Sequence, residues 1–253
     1  MIIQHKKLMP DIWEHDFTLR EAARASILKY IYKYLDYMEE VFHIELDYDK
    51  DIKDIVLVGT CTNYLYTRRS DIDIHIVADV SKILSKCSPD VVNEIMPYLT
   101  KNFLDFYNPR IGRREIDIAI FNTHYLKEFS INASDDGLVP DFDTYSSAYS
   151  VLRNEWIRRP VILAKSEIRE LNKEVLQIYS EMKIAADYIF KNKLPPSNAQ
   201  SLLLRFKQDR AEERFGRNQH KDFGPYNIAF RIARKKGLLK KLAFYIKKQA
   251  RPS

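Results

Sequence analysis

Three aspartates carry the residue types and spacing from which chemistry can be argued. Asp71 and Asp73 stand two apart in Ser70-Asp71-Ile72-Asp73-Ile74-His75-Ile76, and Asp117 lies in a segment of similar design, Glu115-Ile116-Asp117-Ile118-Ala119-Ile120. Alternation at period two marks a strand with one wet and one buried face. Asp71, Asp73 and His75 therefore share a face opposite Ile72, Ile74 and Ile76, and Asp117 shares one with Glu115 and Ala119. Carboxylates so spaced lie roughly 7 Å apart along the backbone. Their oxygens can converge on one ion or span two ions about 3.5–4 Å apart. Mg²⁺ is the natural occupant, a hard cation held by one or two carboxylates and by phosphate oxygens. Asp117, from a neighbouring strand, would complete a clamp for two such ions. Without a cation, three clustered carboxylates repel one another and are costly on Ile-rich strands. An Asp-x-Asp alone is more often a plain solvated strand face; the third carboxylate and a preceding strand that ends in Gly59-Thr60 separate this set from that reading.

A glycine at a strand end lets backbone N–H groups approach a phosphate closely, and the Thr60 hydroxyl offers one more donor. Arg68 and Arg69, just before the Asp-x-Asp strand, can reach triphosphate oxygens or remain a solvated pair. Arg110, Arg113 and Arg114 precede the Asp117 strand, either as a hairpin surface or as charge balance for the carboxylates. His75 is open to a role beside the aspartates, and Trp156 to base stacking or to core packing. Lys165 is a candidate triphosphate ligand. Cys61 has no evident activating partner, and the six His residues contain no His-x₃₋₅-His pair for zinc.

The elements that must hold these groups follow from periodicity. Thr18 and Glu21 spell a capping box for a helix over 17–43, with Ile27, Ile31, Leu35, Met38 and Phe42 as its apolar stripe. Ile55 to Gly59 is a short apolar strand ending in a breaker. Ser88-Pro89 starts a helix running to about Phe106. Residues 122–164 show weak periodicity, with an acidic loop at 135–145. From 165 onward the pattern is helical. Ser166 is a cap, and the stripe runs Leu171, Val175, Ile178, Met182, Ala185 and Ile189. Pro195-Pro196 is a break, Ser197 a second cap, and Gly237 separates two last helices. The expected fold class is α+β: a small mixed-sheet domain with an N-terminal helix over 1–164, then a helical domain over 165–253.

A chain of 253 residues with 45% hydrophobic content can bury one or two cores. Two Cys exclude a disulfide framework and fit a reducing compartment. No apolar run reaches the roughly 20 residues of a membrane helix, and residues 1–16 lack the apolar core of a signal peptide. A cytoplasmic protein without a membrane partner is expected. The net charge of +6 is uneven, because 15 Lys/Arg and only 4 Asp/Glu fall from Gln200 onward. A basic region beside a near-neutral or acidic body suggests an anionic partner, a nucleic acid foremost, or else a plain solvated helical surface. Phe206, Phe215, Phe223, Tyr226, Phe230 and Tyr245 are its aromatic candidates, about half of which the core must claim.

Val58-Gly59-Thr60, then Ser70-Asp71-Ile72-Asp73, then Asp117 on a later strand resembles the DNA polymerase beta-type nucleotidyltransferase superfamily. Thr60 stands where serine is commonest and keeps the hydroxyl. Asn63-Tyr64, Tyr66-Thr67, Glu115-Ile116-Asp117-Ile118, Ser150-Val151-Leu152, Glu155-Trp156 and the stretch 223–237 are similar to predicted nucleotidyltransferases of tailed phages. The resemblance spans most of 17–245, and would place the protein in the host cytoplasm if phage-encoded. It implies that Gly59 and Thr60 hold an NTP, to which Ser70, Arg68, Arg69 and Lys165 are added as candidates from their own places in the sequence. It implies that Asp71, Asp73 and Asp117 bind two Mg²⁺ ions, and that an NMP passes to a hydroxyl acceptor with release of pyrophosphate. The basic region makes a tRNA-like RNA 3′ end the leading acceptor, with a protein or small-molecule hydroxyl as variants. The competing class is a non-catalytic nucleic-acid-binding module on the same fold.

Overall fold

The structure, a computed structural model, describes residues 3–15, 17–68, 70–122, 147–215 and 224–249. The chain divides into two compact units, one of residues 4–162 and one built from Leu163 onward. Arg69, the acidic loop at 135–145 and Phe223 lie outside the described residues, as does the side chain of Phe215. No helix among the described residues is long and apolar enough to cross a membrane.

The first unit is a mixed six-stranded sheet with helices. Helix α1 (Glu21–Phe42) buries Ile27, Ile31, Leu35, Met38 and Phe42, the stripe its spacing predicts. The capping box does not form. Helix α1 starts only at Glu21, with Arg20 as N-cap and no side-chain cap bond. Thr18 and Leu19 are drawn instead into a short bridge, where Leu19 pairs with Trp13 and the Glu14 N–H donates to the Thr18 carbonyl. A short helix α2 (Tyr48–Asp51) leads into β1 (Ile52–Val58), a β-branched run that a central strand favours. A 3₁₀ turn (Gly59–Thr62) follows, then β2 (Ile72–Ala78), α3 (Ser81–Leu84) and α4 (Pro89–Tyr107) with Pro89 at its first position. Strand β3 (Arg110–Ile111) turns into β4 (Arg114–Asn122), and β5 (Ala148–Ser150) into β6 (Glu155–Arg158).

The strand order is β3-β4-β2-β1-β5-β6. Strand β1 is antiparallel to β2, with Val58 opposite Asp73, whereas β2 and β4 run parallel with Asp73 opposite Asp117. Ile72, Ile74 and Ile76 join Ile116, Ile118, Ile120 and the α1 stripe in one core. Each fully buried Ile or Leu contributes roughly 1.5–3 kcal/mol, so this face fixes the register of both strands. The opposite face carries the aspartates and a small cluster of Val56, Val58, Val77 and Ala148. Strands β5 and β6 lie where periodicity is weak. Three or four residues with Ser, Tyr and Arg among them carry too little alternation to read.

The second unit holds α5 (Lys165–Lys191), α6 (Pro196–Phe215), α7 (Pro225–Lys235) and α8 (Leu238–Gln249). Two expected caps fall inside their helices. Ser166 lies in the first turn of α5, where Glu167 accepts from the Ala164 N–H (2.6 Å), and Pro196 precedes Ser197 as the first residue of α6. The α5 stripe takes Ala186 rather than Ala185. Helix α7 is capped from a distance: Glu213 of α6 accepts from the Tyr226 and Asn227 N–H groups (3.0 and 2.9 Å). Gly224 leaves room for this cap, since a Cβ there would overlap the Glu213 carboxylate and oblige it to shift.

Candidate metal centre

The carboxylates of Asp71, Asp73 and Asp117 meet at the junction of β2 and β4, with one oxygen from each within 4.8 Å of the others. The parallel pairing makes this possible. It sets Asp73 beside Asp117, and Asp71 immediately precedes β2 on the same face. Like charges about 4 Å apart repel by ~1 kcal/mol in bulk water and by several-fold more near a protein surface. Asp117 registers this. Loss of water around its carboxyl, then the Asp71 charge, hold its pKa above the usual carboxylate value, against a lowering bond from the Ile118 N–H (3.0 Å). Three hard oxygen donors that strain against one another fit a divalent cation of the Mg²⁺ type.

The floor of the site is the turn after β1. Gly59 has φ +75°, and a Cβ on it would overlap the Asp73 carboxylate, so backbone and carboxylate meet there without an intervening side chain. The turn is held from several sides. The Trp13 indole N–H donates to the Cys61 carbonyl (2.7 Å), and the Asn63 amide donates to the Gly59 carbonyl (2.7 Å). Thr62 Oγ1 donates to the same carbonyl (3.0 Å) and shares a hydrogen bond with the Ser147 hydroxyl (2.8 Å). Thr60 is buried within this turn. Cys61 is buried too, and burial, then the Asp73 charge, push its thiol well above its usual pKa, which opposes a thiolate.

Ser70 and Arg114 organise the loop before Asp71. The Ser70 hydroxyl accepts from the Thr67 N–H (2.9 Å). The Arg114 side chain, only 10% exposed, pairs with Asp11 (3.0 Å) and donates to the carbonyls of Thr67 and Ser70. Arg114 opens β4, three residues before Asp117, so one guanidinium ties the Asp117 strand to the loop that delivers Asp71. Its residue type was legible in sequence but its burial was not, because Asp11 lies over 100 positions away.

The remaining residues fall as follows. Arg68 is exposed in the loop, and Arg69 lies outside the described residues. Arg110 pairs with Glu115 at the surface (2.5 Å). His75 lies on the aspartate face with its ring against Phe121 (4.5 Å between centroids). Trp156 stacks on Trp13 (4.6 Å), meets Tyr149 edge-on, and donates its indole N–H to the Phe17 carbonyl (2.9 Å), which is the packing role. Lys165 is exposed at the first position of α5, in the other unit. Compared with known proteins, the chain matches no family model, no curated protein and no solved structure.

Proposed function

We propose that the protein is a Mg²⁺-dependent nucleotidyltransferase that moves an NMP from an NTP to a hydroxyl acceptor. The observation that carries this reading is the convergence of Asp71, Asp73 and Asp117 beside a glycine whose backbone touches one of them. The nucleotidyltransferase identity of the α+β unit belongs to the same proposal.

Asp71, Asp73 and Asp117 would hold the metal. When bound, the metal supplies charge stabilisation at the attacking and leaving oxygens of an in-line displacement. The protein's own part is chiefly positioning. Asp73 is held against the Gly59 turn, and Asp71 is delivered by the loop that Arg114 clamps. Asp117, opposite Asp73 in the parallel ladder, would be placed to accept a proton from the attacking hydroxyl. Gly59 and Thr60 would face the triphosphate, with Ser70, Arg68 and Arg69 as further candidates. The proposed acceptor is an RNA 3′ end of the tRNA kind, drawn by the basic region from Gln200 onward.

The test is incorporation of each α-labelled NTP in the presence of Mg²⁺ and total RNA, run beside Asp73→Asn and a sample without RNA. Label in RNA that depends on Asp73 supports the reading. Label in protein or in a small product keeps the chemistry and discards the RNA acceptor. No label, together with no effect of Mg²⁺ on NTP binding, overturns the enzyme in favour of a binding module.

A further inference from the structure

Three of the aromatic residues that suggest nucleic-acid contact in the sequence are taken up by the fold. Phe206 and Phe230 are buried, and the Tyr245 hydroxyl donates to the Leu194 carbonyl (2.6 Å) while its ring packs on Phe190. A different ring is free. Phe244, in the middle of α8, is 67% exposed. Positions three and four apart on a helix are neighbours on its surface. The residues at those offsets from Phe244 are Lys240, Lys241, Lys247 and Lys248, all exposed. An exposed phenyl ring thus shares its helix face with four exposed lysines. Residues 224–253 contain no Asp or Glu. Helix α7 adds exposed Arg231, Arg234 and Lys235 to the same basic segment.

Singly exposed apolar side chains are ordinary. This one is set apart by its surroundings, since four lysines keep an apolar protein surface from closing over it. Cations around a π-face suit a ligand with regular anionic charge and flat rings between the charges. We propose that the outer face of α8 binds single-stranded polynucleotide, with a base stacked on Phe244 and the flanking phosphates on Lys240, Lys241, Lys247 and Lys248. A duplex offers the phosphates but keeps its base faces stacked inside. An anionic membrane offers charge, yet an interfacial helix needs a whole apolar face, and that of α8 is used inside the unit, where Leu238 and Leu242 are buried. The inference deepens the acceptor part of the proposed function, and its test needs neither NTP nor metal, so the two can fail separately.

The experiment is fluorescence anisotropy of the full chain, in EDTA, with a labelled RNA single strand of about ten nucleotides. The same strand in a duplex, and vesicles of about one-third phosphatidylserine, serve as competitors. Phe244→Ala is expected to weaken single-strand binding roughly 5- to 100-fold, and Phe244→Trp to restore it. Lys240→Gln with Lys241→Gln should flatten the salt dependence while leaving the stacking contribution. Because Phe244 is exposed, these variants should fold, which circular dichroism checks. Phe244→Ala binding as the parent does, a duplex competing as well as the single strand, or vesicles bound in place of RNA would each overturn the proposal.

Discussion

Gly59 and Asp73 occupy one another's space: the backbone at Gly59 is left-handed at φ +75°, and the volume its missing Cβ would fill is taken by Asp73 Oδ2. Gly59 directly follows β1 and Asp73 lies on the adjacent β2, with Val58 opposite Asp73 in the ladder. The glycine thus does two jobs, turning the chain after β1 and leaving room for a carboxylate at the turn.

Gly59→Ala should therefore lose stability from two sources that a double-mutant cycle can separate. Left-handed backbone costs a residue with a Cβ roughly 1–2 kcal/mol, and the overlap with Asp73 adds to that. In an Asp73→Ala background the overlap is gone and only the backbone cost remains. Denaturant melts of the four proteins measure the difference. Equal costs in both backgrounds would mean that the carboxylate is not seated against Gly59.

Under the proposed function, Asp71→Asn or Asp73→Asn should abolish nucleotidyl transfer while leaving the far-ultraviolet circular dichroism unchanged. Removing a hard anionic donor weakens the metal site without touching the Ile core on the other face. Near-normal turnover in either variant would remove these residues from the chemistry.

Asp117 makes a pH-dependent prediction for the metal-free protein. A carboxyl whose pKa is raised by folding destabilises the native state. That deficit is absent below the unfolded pKa of about 3.9, develops as pH rises through the folded value, and is complete at neutral pH. Asp117→Asn should raise the melting temperature at neutral pH, and the gain should fade in acid. Added Mg²⁺ should then stabilise the parent and not the variant. A gain of equal size at every pH would point to some cause other than the carboxylate charge.

Arg114 should show a split between stability and metal affinity. Breaking a buried ion pair costs about 3–5 kcal/mol, and Arg114→Ala should cost less than that because the Asp11 side chain is one-third exposed. Arg114→Lys keeps the charge but loses the planar fork that serves Asp11, Thr67 and Ser70 at once. It should melt close to the parent yet bind Mn²⁺ more weakly, as titration calorimetry would record. Parent-like affinity in Arg114→Lys would limit Arg114 to a structural role.

Much of the fold was legible because its signals are local. The Ile/Asp alternation of β2 and β4, the α1 stripe and Pro89 at the head of α4 each depend on residues a few positions apart. The failures have local causes as well. Thr18 has the right spacing from Glu21 for a capping box, but its strand-like bridge to the Trp13 segment uses the same backbone. Ala185 and Ala186 flank the α5 stripe at about equal angles on a helix of 3.6 residues per turn, so periodicity could not choose between them, and Ala186 is the one buried.

By itself the sequence determined which residues could make a site and on which face of a strand each would stand, since side-chain direction along a strand follows from the chain's own geometry. Tertiary structure decided which of those faces meet. The parallel pairing of β2 with β4 places Asp73 beside Asp117, and β1 brings Gly59 up to Asp73. A guanidinium in β4 reaches Asp11 and the loop before Asp71, and the Phe244 ring in α8 is left outside while Phe206 and Phe230 are buried. These are relationships between segments far apart in the chain. Their energies come from burying apolar surface and satisfying buried polar groups together, and no short stretch of residues contains either.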